Sequence, residues 1–232
     1  MIENRILYSN NSQYFSNNIF SYITKANPLY NSDDTLLKLL FSKRIDKNTL
    51  AFCNQIHSDK VFYIKKPGEY AESDGLVAKC SNNVVLKIQT ADCVPVSMYD
   101  PDKQLIGLVH SGWKGTKNSI CNNAIEIFIE NGSNPDNIKV FLGPSIQKCC
   151  YEVKSDVSEQ FNEKYIIKIN DKQFLDMQSK IKEDLILNGI YKNNISMSDI
   201  CTHENEEYYS YRKEGESAGR MYTILGITNE SI

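Results

Sequence analysis

The sequence predicts an α/β fold in which mixed or antiparallel sheets are stacked in layers with helices outside them. Three observations carry that expectation. Short apolar runs of strand length follow one another from residue 51, and later segments repeat their apolar residues at helical spacing. The runs of the first half are also joined at hairpin-like intervals, which argues against a purely parallel, doubly wound sheet.

Along the chain, the first fifty residues are rich in Asn and Ser with scattered aromatics, and read as short strands plus a helix over 33–43, where Leu36, Leu37, Leu39 and Leu40 supply an apolar face. Strands are expected over 51–56, 61–64, 75–78, 84–88, 94–99 and 105–110, several joined by turns such as Asp100-Pro101-Asp102-Lys103. Segment 116–130 sets Ile120, Ala124, Ile127 and Phe128 on one face with Gly132 just past its end, the pattern of an amphipathic helix stopped by glycine. Helices are expected over 155–163 and over 175–188, the latter stopped by Gly189; strands are expected over 138–142, 165–169, 195–201 and 221–227. No repeat, low-complexity tract or Pro/Gly/Ser linker interrupts the pattern, so residues 1–232 read as a single domain.

Composition narrows the function. A chain of 232 residues with 41% hydrophobic content can bury a core without covalent staples. Its 26 basic and 29 acidic residues leave a net charge of −3, too balanced for a main partner that is nucleic acid or an anionic membrane, and the expected partner is a small molecule. No leader pattern and no window near the roughly 20 apolar residues of a membrane span is found, so a cytoplasmic location is expected. The odd count of seven cysteines without regular spacing reads as reduced thiols. Cys53, Cys80, Cys121, Cys149, Cys150 and Cys201 sit mostly in apolar runs and read as small buried hydrophobes. Cys93 stands apart.

The chemistry gathers in three stretches: Asn54-Gln55-Ile56-His57-Ser58, Thr90-Ala91-Asp92-Cys93-Val94-Pro95 and His110-Ser111-Gly112-Trp113-Lys114-Gly115. Each lies at a strand end, where polar side chains feed a common rim. Two imidazoles and a thiolate suit zinc, and three protein ligands leave a fourth position open for catalysis. The same residues also suit a nucleophile pair, Cys93 activated by His110. Gly112 and Gly115 with Lys114 read either as an anion site at a helix start or as a tight turn that needs flexible φ. Tyr208-Tyr209-Ser210-Tyr211 with Arg212, and Gly219-Arg220, read either as a phosphate or purine site or as an aromatic cluster at a sheet edge.

Several blocks in order together resemble the laccase-domain family, whose members are known as polyphenol oxidases, purine nucleoside phosphorylases and peptidoglycan editing factors. They are Gln55-Ile56-His57, Ser73-Asp74-Gly75-Leu76-Val77, the Asp92-Cys93 and His110 stretches, Gly143-Pro144-Ser145-Ile146 with Cys150-Tyr151-Glu152-Val153, and Tyr209-Ser210-Tyr211-Arg212 with Gly219-Arg220-Met221. The resemblance covers about residues 50 to 227. In the N-terminal quarter, segment 19–31 replaces the family's Gly/Ser-rich opening, while Lys114 stands where Arg is common and Ser111 where Ala is common.

The resemblance implies an architecture related to bacterial toxin deamidases with a Cys/His pair, and one zinc held by His57, Cys93 and His110. It implies phosphorolysis of adenosine, inosine and methylthioadenosine to free base and ribose 1-phosphate, with adenosine deamination alongside. Deamination asks for an activated water at C6 of adenine, with Asp92 or another carboxylate handling protons. Phosphorolysis asks for an anion site, for which Lys114, Arg212 and Arg220 are candidates, with Gln55 beside them as a substrate contact. Three rivals remain open. A single copper in the same three-ligand site would give weak phenol oxidation, whereas three histidines are too few for a multicopper cluster. The others are a cysteine amidase or hydrolase acting on cell-wall peptide precursors, and a binding module without turnover. Nothing in the sequence sets an oligomeric state.

Overall fold

The computed structural model describes residues 8–15, 18–27 and 29–227. Residues 1–7, which open the stretch read for a leader, lie outside the described residues. In chain order the elements begin with β1 (Tyr8–Asn10), β2 (Ile19–Thr24), α1 (Ser32–Ser42), β3 (Leu50–Cys53), β4 (Val61–Ile64), β5 (Gly68–Tyr70) and β6 (Gly75–Lys79). They continue with β7 (Val85–Thr90), β8 (Val94–Asp100), β9 (Leu105–Ser111), α2 (Trp113–Lys117), α3 (Ile120–Glu130), β10 (Lys139–Leu142), β11 (Glu152–Val153) and α4 (Ser155–Ser158). The last are β12 (Ile166–Ile169), β13 (Lys172–Leu175), α5 (Met177–Leu187), β14 (Ile195–Met197), α6 (Tyr211–Glu214) and β15 (Met221–Ile227).

The first sheet runs β1-β2-β15-β7-β3-β5, the second β14-β10-β8-β9-β6-β4, and a small third sheet runs β11-β13-β12. Both large sheets are mixed: β3 pairs in parallel with β5 and β7, β4 with β6, and β10 with β14, while the remaining pairs are antiparallel. The period-2 alternation of the strands builds the layers. In β9, Ile106 and Leu108 face the first sheet, joining Leu86 and Ile88 of β7 and Leu225 of β15. Leu105 and Val109 of the same strand face the other way, onto Ala124, Ile125 and Phe128 of α3 and Ile181 and Leu185 of α5. The outer face of the first sheet is closed by α1, whose Leu36, Leu39 and Leu40 pack on Phe20, Val85 and Ile224. The helix starts where the Asn31 side chain caps the Asp34 amide. The fold is therefore the layered mixed α/β arrangement that the apolar runs predict.

Several boundaries differ, each for a local reason. The strand expected over 51–56 ends at Cys53. Beyond it the amides of Ile56, His57 and Ser58 turn to the Asp74 carboxylate instead of a neighbouring strand. The helix expected over 116–130 is two helices, α2 and α3, because Ser119 adopts a left-handed conformation (φ 56°) and sends its hydroxyl to Asp184. The helix expected over 155–163 is the single turn α4. Leu175, where the expected helix opens, instead ends the hairpin strand β13, and α5 begins only after Asp176 caps the Ser179 amide. The strand expected over 195–201 shortens to β14 plus a bridge between Cys201 and Ser145. Cys149 is exposed and Cys150 half-buried, against the expectation of buried packing, which holds for Cys53, Cys80, Cys121 and Cys201. Among the described residues no helix is long and apolar enough to cross a membrane.

Candidate active site and metal centre

The chain crosses between the two large sheets at neighbouring points, and these crossings build the site. His57 lies on the connection from β3 to β4, Asp92 and Cys93 on the connection from β7 to β8, and His110 near the end of β9. His57 and Asp92 both adopt positive φ (59° and 88°), a conformation that side-chain-bearing residues rarely take and that surrounding bonds must hold.

Asp74, immediately before β6 and fully buried, supplies those bonds for His57. Its carboxylate accepts from the His57 amide at 3.1 Å, the Ser58 amide at 2.6 Å and the Ser58 hydroxyl at 2.8 Å. It also takes the His110 Nδ1 hydrogen at 2.8 Å. That bond fixes the His110 tautomer and leaves Nε2 for the site. Burial would raise the Asp74 carboxyl, but the bonds from His110 and Ser58 outweigh it and hold the group at about 2.

Donor atoms of His57, Cys93 and His110 lie within 4.8 Å of one another, with Cys93 Sγ 4.0 Å from His57 Nε2. The imidazole rings meet edge to face at 4.8 Å. Burial would push the Cys93 thiol up, yet the charge and hydrogen bonds of His110 and His57 bring it down to about 6. In turn burial would lower His110, and the Cys93 thiolate and Asp74 raise it instead. Each group thus draws the other toward its charged form. Donors of a tetrahedral zinc stand roughly 3.4–3.8 Å apart, so a small inward movement would seat an ion on this N,S,N set, with a fourth position open. The donor set fits the metal that the resemblance implies.

Gly112 shows how tightly the centre is drawn. A Cβ there would lie 3.0 Å from Cys93 Sγ and 3.0 Å from His57 Cδ2. Its φ is an ordinary −79°, so the glycine is required by close approach and not by the flexible turn considered from sequence.

The centre opens into a cavity of about 650 Å³, within the range of small-molecule sites. Trp113, Tyr151 and Tyr211 supply its aromatic walls, Arg212 and Arg220 its cations, and Gln55, Asp92, Ile146 and Met177 also line it. Gln55 is locked by two bonds to the Gln89 backbone, each 2.8 Å. Both Asp92 oxygens accept hydrogen bonds, one from Thr202 Oγ1 at 2.6 Å and one from the Arg212 amide at 2.7 Å. The Arg212 guanidinium donates to the Glu152 carbonyl at 2.6 Å and lies 5.2 Å from the Tyr151 ring centre. Arg220 donates to the Ala218 and Gly219 carbonyls.

Structure thus brings Gln55, His57, Asp92, Cys93, His110, Arg212 and Arg220 to one cavity. Lys114 is not among its walls: it is exposed on α2 with its ammonium 5.7 Å from the Trp113 ring centre. The turn of the helix that brings Trp113 into the wall directs Lys114 to solvent. Asp74 was missed as a functional residue. The available signal was an acidic residue at the mouth of an apolar strand, since a ligating histidine needs a carboxylate behind it.

A model of the family described as multi-copper polyphenol oxidoreductase laccase matches residues 34–228. The chain belongs to this family. Within this laccase family, a Clostridium acetobutylicum protein named purine nucleoside phosphorylase is 34% identical over 182 residues, 76% of this chain and 76% of the relative. A protein of an unknown prokaryotic organism named adenosine deaminase RL5 is 28% identical over 210 residues, 82% of this chain and 79% of the relative. The crystal structure of the Bacillus licheniformis hypothetical protein YfiH superposes with a TM-score of 0.83 at 25% identity, covering 90% of this chain and 93% of that one.

Proposed function

We propose that this laccase-family chain is a zinc-dependent purine nucleoside phosphorylase, converting adenosine, inosine or methylthioadenosine to free base and ribose 1-phosphate. The observation that carries the reading is the convergence of His57, Cys93 and His110 beside an aromatic cavity that also holds Arg212 and Arg220. Relatives named purine nucleoside phosphorylase agree with it.

In this reaction the bond from C1′ to the base nitrogen breaks, a phosphate oxygen takes C1′, and the base leaves with the electron pair. The aromatic walls suit a purine, which every ring face can stack upon. The guanidiniums suit phosphate, whose planar recognition they favour over a point charge. Asp92, expected from sequence to handle protons, is spent on Thr202 and the Arg212 amide, and we assign it to positioning Arg212. Burial and the Cys93 charge push the Tyr151 hydroxyl up, so this wall residue stays a neutral donor. His57, Cys93 and His110 would hold the zinc, which when bound supplies Lewis acidity next to the substrate. Adenosine deamination, the activity in one relative's name, is proposed for the same cavity.

One geometric feature favours a second reading. Cys93, His110 and Asp74 also form a thiolate, imidazole and carboxylate series of the kind used by cysteine hydrolases. Metal analysis with base release separates the two. Phosphorolysis expects bound zinc and base released from adenosine only with phosphate present. A metal-free protein that turns over amides, or a copper-loaded one that oxidises phenols without releasing base, would contradict it.

A further inference from the structure

A second group of soft donors comes together away from the cavity's metal centre. Cys149, Cys150, Cys201 and Glu204 each place a donor atom within 4.8 Å of the others. Cys149 Sγ is 3.3 Å from Cys150 Sγ and 3.6 Å from Glu204 Oε2. All three cysteines are free thiols. They come from two stretches far apart in sequence, the turn around Gln147–Tyr151 and the segment that follows β14, brought side by side by the bridge from Ser145 to Cys201.

We propose that Cys149, Cys150, Cys201 and Glu204 form a second metal site, for a thiophilic dication of the zinc class, that fastens the 147–151 turn to segment 201–204. Three sulfurs and a carboxylate make a complete four-ligand set, as in structural zinc sites, whereas the His57, Cys93 and His110 set leaves a position open. Sulfurs on a tetrahedral zinc stand roughly 3.8 Å apart, so the pair at 3.3 Å needs to part by only a few tenths of an ångström. The buried Cys201 sulfur also accepts the Gln147 amide at 3.5 Å, the type of second bond that steadies a ligating thiolate. Cys149 and Glu204 are exposed and give the ion an entry path.

The position gives the site a task. Ile146 and Tyr151, on either side of the turn, line the cavity, and Thr202 in the other stretch holds Asp92. An ion joining the two stretches would hold that wall in place without touching substrate. The inference is independent of which reaction the cavity performs.

The test uses the full chain carrying Cys93→Ala, which removes the first centre's thiolate, titrated with cobalt(II) under reducing, anaerobic conditions. About one equivalent of cobalt is expected to bind with strong near-ultraviolet absorption from sulfur-to-cobalt charge transfer. Adding Cys149→Ser or Glu204→Gln, both at exposed positions, should weaken that binding by about tenfold or more while circular dichroism stays unchanged. Cobalt bound without the sulfur bands, or bands unaffected by Cys149→Ser, would overturn the proposal. So would an intact mass of the isolated chain lacking two hydrogens, which would mean a disulfide in place of a metal.

Discussion

His110 Nδ1 lies 2.8 Å from Asp74 Oδ1, and the same carboxylate takes the amides of His57 and Ser58. One buried acid therefore orients two of the three donors of the candidate metal centre. An Asn at this position has a single acceptor oxygen for five donors. Asp74→Asn is expected to lower zinc affinity by about 10–100-fold, the usual loss when a carboxylate behind a ligating histidine is removed. Competition with a chromophoric chelator measures it, and an unchanged affinity would mean that Asp74 serves the fold alone.

Gly112→Ala tests the close approach at the centre. The new methyl would press on Cys93 Sγ and His57 Cδ2, both 3.0 Å away. Overpacking of this kind costs about 1–3 kcal/mol, so zinc affinity should fall about tenfold or more if that strain is relieved by moving the ligands. If it is relieved elsewhere, chemical denaturation would show the loss and zinc affinity would not change.

Thiol reactivity carries the pH dependence. In chelator-stripped protein, Cys93 is held down to about 6 by His110 and His57 against its burial, so its alkylation should rise with pH to a plateau with a midpoint near that value. Burial pushes Cys80 up to about 11 and Cys121 up to about 12, so at pH 8 both remain protonated and unlabelled. Bound zinc should protect Cys93, as followed by peptide mass spectrometry. Labelling of Cys93 at the same rate with and without zinc would favour the cysteine-hydrolase reading.

The proposed function gives phosphate to Arg212 and Arg220, which line the cavity. Replacing either by Ala should raise KM for phosphate by about tenfold, the loss of one charge-assisted contact of about 1.5 kcal/mol, while KM for nucleoside changes little. Lys114→Ala, at a residue outside the cavity wall, should leave both unchanged. Steady-state assays with each substrate varied in turn make the comparison.

Periodicity carried the layered α/β arrangement because each long strand buries both faces or alternates cleanly, as in β8 and β9. It failed where a side chain overrides the backbone pattern. Asp74 pulls 56–58 out of strand pairing, and Ser119 splits a helix whose apolar face runs on uninterrupted. The three donors were legible as residue types at strand ends. Their convergence was not, since it depends on the chain crossing between sheets twice, and His57 and Cys93 are brought together by connections rather than by strands. The Cys149, Cys150, Cys201 and Glu204 cluster was hidden for the same reason, its three cysteines read one by one as packing residues.

The most direct test of the central claim is Cys93→Ala, assayed for metal content and for base release from adenosine with and without phosphate. The account predicts that the variant folds, loses the zinc equivalent held by His57, Cys93 and His110, and no longer releases base. A Cys93→Ala protein with undiminished zinc and undiminished phosphate-dependent base release would contradict it.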